Sequence, residues 1–213
     1  IAGQINAELV KPTLDDRIFV NAYGSLNGRT ELNTHFNTTL SERWSTGLYV
    51  HADNRSQKFD RNNDSFLDMP LSKQLNIMNR WQYSDLQKGL ISFLNVRFLT
   101  DEKQSGQLDF DPETDRLSNT IWGSGITTKR FEVSSKLGYV NPEVPYQSLG
   151  LQFSYSDHNQ TSYFGLNQYD IRHKSAYSNI VYNSIISDSR HKIKTGLNAT
   201  YDAYKETVNS KFY

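Results

Sequence analysis

Residues 60–70 read Asp-Arg-Asn-Asn-Asp-Ser-Phe-Leu-Asp-Met-Pro and put side-chain oxygens at Asp60, Asn62, Asp64 and Asp68. Asp-x-Asn-x-Asp is the spacing by which a short loop wraps hard oxygens around Ca²⁺. Ser65 stands where an EF-hand loop places Gly, and Met69, Pro70 and Leu71 follow Asp68 where its closing Glu would fall. No helical pattern flanks the stretch. A structural Ca²⁺ held here would need another kind of loop, with a backbone carbonyl and water completing the shell. The other reading is a polar hairpin tip whose Asp and Asn side chains make Asx-turns. Either way the stretch is a boundary between alternating segments.

The remaining chemistry-bearing residues are scattered. The five histidines are His35, His51, His158, His173 and His191, and none forms a His-x-x-x-His or His-Glu-x-x-His pair. His51 with Asp53, and Asp157 with His158, fall near strand ends, where they read as ligand contacts or as ordinary polar residues. Glu31, Arg80, Glu132 and Lys136 fall on the polar faces of their strands and could make charged hydrogen bonds there or line a hydrated wall. There is no Gly-x-Ser-x-Gly elbow, and Gly123-Ser124-Gly125 lies in a strand pattern with no helix after it.

The elements that must position these residues show a period of two almost throughout. Ile18, Val20 and Ala22 alternate with Phe19, Asn21 and Tyr23, and Leu32 and Phe36 with Glu31, Asn33 and His35. Trp44, Thr46, Leu48 and Val50 follow, then Leu75, Ile77, Trp81 and Tyr83 against Asn76, Met78, Arg80 and Gln82. Further on, Val133, Leu137 and Tyr139 oppose Glu132, Ser134 and Lys136. Leu149, Leu151, Phe153 and Tyr155 alternate with Gly150, Gln152 and Ser154, and Ile193, Leu197, Ala199 and Tyr201 close the series. Short turns are expected at residues 41–43, 84–88, 141–147 and 187–190. Long polar connections are expected at 101–119 and 157–170, besides the loop at 60–70. All short turns would then lie at one end of an antiparallel sheet.

Composition limits the choices. Lys+Arg and Asp+Glu balance at 23 each among 213 residues, so no overall field favours nucleic acid. Cysteine is absent, which rules out disulfides and thiolate metal sites. Hydrophobic residues make up only 36%, yet aromatics reach 13% through 13 Tyr and 11 Phe. That suits strands with one apolar and one wet face. About nine antiparallel strands of roughly ten residues or more fit the length of transmembrane β-strands. The fold class expected is all-β, an antiparallel transmembrane β-barrel in part, with short periplasmic turns and long extracellular loops. Trp44, Trp81, Tyr83 and Tyr139 beside the short turns would form an interfacial aromatic girdle. A soluble sandwich shares the period, but its strands are usually shorter.

Several stretches carry a resemblance. Ile1-Ala2-Gly3-Gln4-Ile5-Asn6-Ala7-Glu8-Leu9 resembles the end of the plug domain of TonB-dependent outer-membrane receptors. Asn21-Ala22-Tyr23 with Gly28-Arg29-Thr30-Glu31-Leu32-Asn33 resembles the first barrel hairpin of that family. Residues 60–70 followed by Asn79-Arg80-Trp81 resemble its Bacteroidetes-type members, and Lys136-Leu137-Gly138-Tyr139 and Ser148-Leu149-Gly150-Leu151 fit the same pattern. The resemblance implies that residues 1–12 end a plug and residues 13–213 begin a barrel, in a chain that reads as a fragment. It also implies active uptake of a scarce ligand of the siderophore, haem or cobalamin class across the bacterial outer membrane, without covalent chemistry and so without catalytic residues. The partners implied are outer-membrane lipid, the TonB complex and a metal chelate or similar small ligand, with no nucleic acid. Two rivals stay open. A passive porin would lack the plug strand at residues 1–10, and an outer-membrane barrel hydrolase would need a group such as Asp157-His158 to converge with a nucleophile.

Overall fold

A computed structural model describes residues 9–211 of the chain. Among these the protein is all-β: a single antiparallel sheet of nine strands in strict sequence order, β1-β2-β3-β4-β5-β6-β7-β8-β9. The strands are β1 (Ile18–Gly24), β2 (Arg29–Thr39), β3 (Trp44–Arg55), β4 (Leu71–Asp85), β5 (Leu90–Gly106), β6 (Gly123–Val140), β7 (Ser148–Phe164), β8 (Asn167–Ile186) and β9 (Asp188–Asn209). The sheet is open: β1 and β9 are its edges and do not pair with each other.

Strand length grows from 7 residues in β1 to 22 in β9. Two expected connections are therefore strand. Residues 101–106 extend β5, and nearly all of 157–170 belongs to β7 and β8, joined through Gly165 and Leu166. These segments are mostly polar on both faces, so their alternation disappears, but an antiparallel ladder needs only backbone N–H and C=O groups. Polarity there marks water and not irregularity. The long connections among the described residues are thus 56–70 and 107–122. The turn expected at 187–190 also shortens, to Ser187 (φ 66°) with a register shift between Ile185 and Ile186.

The register sorts the side chains into two faces. Ile18, Phe36, Leu48, Asn79, Val96, Val133, Tyr155, Ala176 and Tyr201 stand opposite one another in one row across all nine strands. One residue along, on the other face, runs Phe19, His35, Tyr49, Met78, Arg97, Glu132, Ser156, Ser175 and Asp202. The first face carries the large apolar side chains and leaves them open: Phe98 is 44% exposed, Phe131 42% and Phe153 48%, all in the middle of the sheet. Buried apolar side chains among the described residues are Leu67, Phe110 and Tyr163, and these sit around the long loops. An exposed apolar band running across a whole sheet is the inverse of a water-soluble core.

The band also slopes. Leu75 on β4 shares a register row with Thr100, Lys129 and Asn159. On β7 the unbroken apolar run of this face ends at Tyr155, four residues short of Asn159, and Tyr163 stands apart from it beyond Asp157, Asn159 and Thr161. Four residues along a strand is about 13 Å, set against about 14 Å across three strand spacings, an inclination of roughly 40°. Strands of a barrel wall tilt by about that much, so a band of constant height must cross the register rows.

The two ends of the sheet are finished differently. At the short-turn end Trp44 lies 5.0 Å from Tyr83 and 6.5 Å from Trp81, ring centre to centre, on the apolar face. Arg43 in one turn reaches the buried carboxylate of Asp85 at 3.2 Å, which also accepts the Lys88 backbone N–H at 3.1 Å. At the other end the two long loops interlock. Leu67 N–H donates to Gly106 O, and Leu108 N–H to Ser65 O, each at 2.9 Å. Phe110 then folds onto Gly123 and Tyr163 onto Gly125, where a Cβ would come within 2.5 Å of the rings.

Candidate functional site

The polar face is where a ligand or a second domain could be held, because its side chains form a hydrogen-bonded lining. Glu31 accepts from Arg29 Nη2 at 2.8 Å and from Asn33 Nδ2 at 2.9 Å, and Asn33 Oδ1 lies 2.6 Å from His51 Nδ1. Across the middle strands Arg97 donates Nε to Asn76 at 2.9 Å and Nη1 to Glu132 at 3.1 Å, and Glu132 takes a further bond from Arg130 at 2.7 Å. Tyr49 O–H donates to Asn37 at 2.9 Å, while Asn37 Nδ2 donates to the Asp16 carbonyl at 2.8 Å. The Arg80 guanidinium lies 4.7 Å over the Phe93 ring. The ion pairs are half exposed, so each adds little to stability. Their effect is to hold donors and acceptors in place beside water.

Glu31, Arg80, Glu132 and Lys136 all fall on this face, as their alternation predicts. His51 lies 3.9 Å from Asp53 and 3.8 Å from Glu31. His173 bonds Asp202 at 2.8 Å and stacks on Tyr204 with ring centres 4.0 Å apart. Leu9 also lies over the polar face, where it shares a cleft of about 370 Å³ with Met78 and Arg97. The plug reading of the segment before it rests on residues 1–8, outside the described residues.

Asp157 and His158 do not form one group. Adjacent residues of a strand point to opposite faces. Asp157 pairs with Arg172 at 2.8 Å on the apolar side, whereas His158 stands opposite His173 on the polar side. A dyad built from them is geometrically closed off.

In the 60–70 loop the carboxylates act on the backbone. Asp60 accepts the N–H groups of Asp64 at 3.1 Å and Ser65 at 2.9 Å. Asp64 accepts Phe66 N–H and Asn62 Nδ2, both at 2.8 Å, and Asp68 accepts Arg61 N–H at 3.0 Å. Asn63 and Ser65 take left-handed backbone, with φ of 57° and 68°, so Ser65 does occupy the kind of position that usually draws Gly. Among the described residues no three acidic or histidine side chains are grouped to hold a metal ion. Asp60→Ala removes the carboxylate that accepts two backbone N–H groups and should loosen the loop, read as faster amide exchange at Asp64 and Ser65 by about fivefold, for a hydrogen-bond contribution of ~1 kcal/mol each. Unchanged exchange would show that the Asp60 bonds do not hold the loop. Calorimetric titration with Ca²⁺ after chelator treatment, with Asp64→Ala alongside, reads whether a cation adds to these bonds.

Three features escape a reading by period. Asn79 lies inside the apolar face, but its amide donates to Thr46 Oγ1 at 3.2 Å and Gly47 O at 3.1 Å and its oxygen accepts the Trp81 indole, so no polar atom need meet an apolar surround unpaired. The Phe110–Tyr163 contact brings together a loop and a strand end far apart in sequence. Burial pushes the Tyr163 phenol above its ordinary pKa, and Arg116, 4.9 Å over the ring, opposes the shift. The Arg43–Asp85 pair joins two turns, and only the strand order makes them neighbours. No protein-family model, no curated protein and no solved structure matches the chain, so a functional reading rests on the two-faced sheet itself.

Proposed function

We propose that this chain forms part of the wall of a transmembrane β-barrel in the bacterial outer membrane, with the apolar face against lipid and the polar face toward a wet lumen. The observation that carries the reading is the exposed apolar band, continuous through the register of nine strands and inclined to it. The Trp44–Trp81–Tyr83 cluster at the short-turn end supports it as an interfacial belt. In hydrocarbon the free edges of β1 and β9 would leave backbone groups unsatisfied, so further strands must pair with them.

Within that wall the function proposed is TonB-dependent uptake of a scarce ligand of the siderophore, haem or cobalamin class. Support comes from the receptor-like stretches of the sequence, from Leu9 lying over the polar face, and from a lining rich in paired charges that could grip a plug. The role is binding and passage, without covalent chemistry. Uptake of labelled ferric siderophore, haem and cobalamin by cells lacking the gene, and separately lacking TonB, tests it. One ligand class should be lost in both strains. Uptake that needs the gene but survives loss of TonB would identify a passive porin instead, and no loss in either would end the transport reading.

A further inference from the structure

The apolar face ends, on its last four strands, in a row of basic side chains. Lys129, Asn159, Arg172 and Lys205 stand opposite one another on β6, β7, β8 and β9. One row nearer the band come Phe131, Asp157, Lys174 and Ala203, and one row further in the wholly uncharged Val133, Tyr155, Ala176 and Tyr201. Four cations and one carboxylate thus occupy the first two rows beyond the apolar residues. Asp157 pairs with Arg172 at 2.8 Å and lies 3.9 Å from Lys174, yet the side chains of Arg172 and Lys174 remain 54% and 44% exposed. Asp170, one row further out, is tied to Gln168 at 2.6 Å. Beside Lys129 stands Thr100, which with Leu32, Ala52 and Leu75 lines a mostly apolar groove of about 620 Å³ on the same face, where the one cation, Lys73, stands opposite Glu102.

From this juxtaposition we infer that the outer ends of β6–β9 bind the phosphates of a phosphorylated lipid head group, whose acyl chains lie on the apolar band below. The inference rests on the membrane-wall reading. With Asp157 and Asp170 set against Lys129, Arg172, Lys174 and Lys205, two positive charges remain in excess in the patch and complement a phosphate-bearing head group. Arg172 keeps guanidinium N–H groups beyond those spent on Asp157 and can present them in forked geometry. Small Ala52 and Thr100 leave the groove room for a chain next to Lys129.

The test uses the full-length protein in detergent, titrated with lipid A (a phosphorylated glycolipid), with its dephosphorylated form and with inorganic phosphate. The phosphorylated lipid should bind best. Joint substitution Lys129→Gln, Arg172→Gln and Lys205→Gln should weaken it by roughly 10–100-fold, given about a factor of five per basic residue at a charged surface. Binding of the dephosphorylated form should hardly change, and high salt should erase most of the difference. A loss under twofold, or equal binding of both lipids by the unaltered protein, overturns the inference. Inorganic phosphate competing at the same concentration as lipid A would also overturn it, in favour of a free-anion site. The lipid comparison on the unaltered protein stands even if the triple variant fails to fold, and Lys129→Arg with Lys205→Arg should retain binding. Quenching of Trp44 and Trp81 by brominated acyl chains reports the wall reading separately. Quenching without phosphate preference defeats the lipid site alone, and absence of quenching defeats the wall.

Discussion

Leu151→Arg is expected to cost about 2–4 kcal/mol of stability in a bilayer, and Gln152→Arg far less. Leu151 stands in the row of Leu137, Ile180 and Leu197, in the middle of the apolar band. An arginine there would carry its charge into hydrocarbon or bend away to the interface, and both are unfavourable. Gln152, the next residue, faces Lys136 and Asn179 on the polar face, where a guanidinium meets water and hydrogen-bond acceptors. Urea titration of the protein refolded into lipid vesicles measures both. Equal costs would remove the two-face assignment, and a larger cost at Gln152 would reverse it. In a protein that left this face in water Leu151→Arg would stay within about half a kcal/mol, so the same experiment separates a lipid-facing wall from a water-facing sheet.

Gly89→Val should cost on the order of 3 kcal/mol or more. Gly89 ends the turn between β4 and β5 with φ +65°, a conformation that L side chains rarely adopt. A Cβ at this position would stand 1.8 Å from the Val140 carbonyl oxygen, so strain and collision add together. Its own carbonyl accepts the Val140 N–H at 2.8 Å, and moving the turn to relieve the clash would break that bond and open the β5–β6 ladder at its end. Gly24→Ala is the control, because a Cβ there meets nothing within 4 Å. The unfolding midpoint in urea should fall sharply for Gly89→Val and barely for Gly24→Ala. A midpoint unmoved by Gly89→Val would mean that the turn is not held as described.

The sequence by itself determined the class of structure and the sorting of side chains. Leu149, Leu151, Phe153 and Tyr155 declare a common face because strand geometry has a period of two, whatever the neighbours are. The short turns at 41–43 and 141–147 are likewise legible, since they interrupt that period with turn-forming residues. The sequence could not mark the ends of strands in water. Gln160, Thr161 and Ser162 read as loop, but a ladder is made by backbone groups, and polar side chains on both faces leave its hydrogen bonds intact. Nor could it distribute the work of the 60–70 carboxylates: oxygens spaced for a cation are equally spaced for backbone N–H groups, and only the left-handed turns at Asn63 and Ser65 bring those N–H groups within reach. The separation of Asp157 from His158 follows from local geometry once the strand is known to continue. The row Lys129–Asn159–Arg172–Lys205 does not, because residues up to 76 positions apart share it only through the register of four strands. Register is the quantity that tertiary structure decided, and it converts scattered basic residues into one charged border on an apolar band.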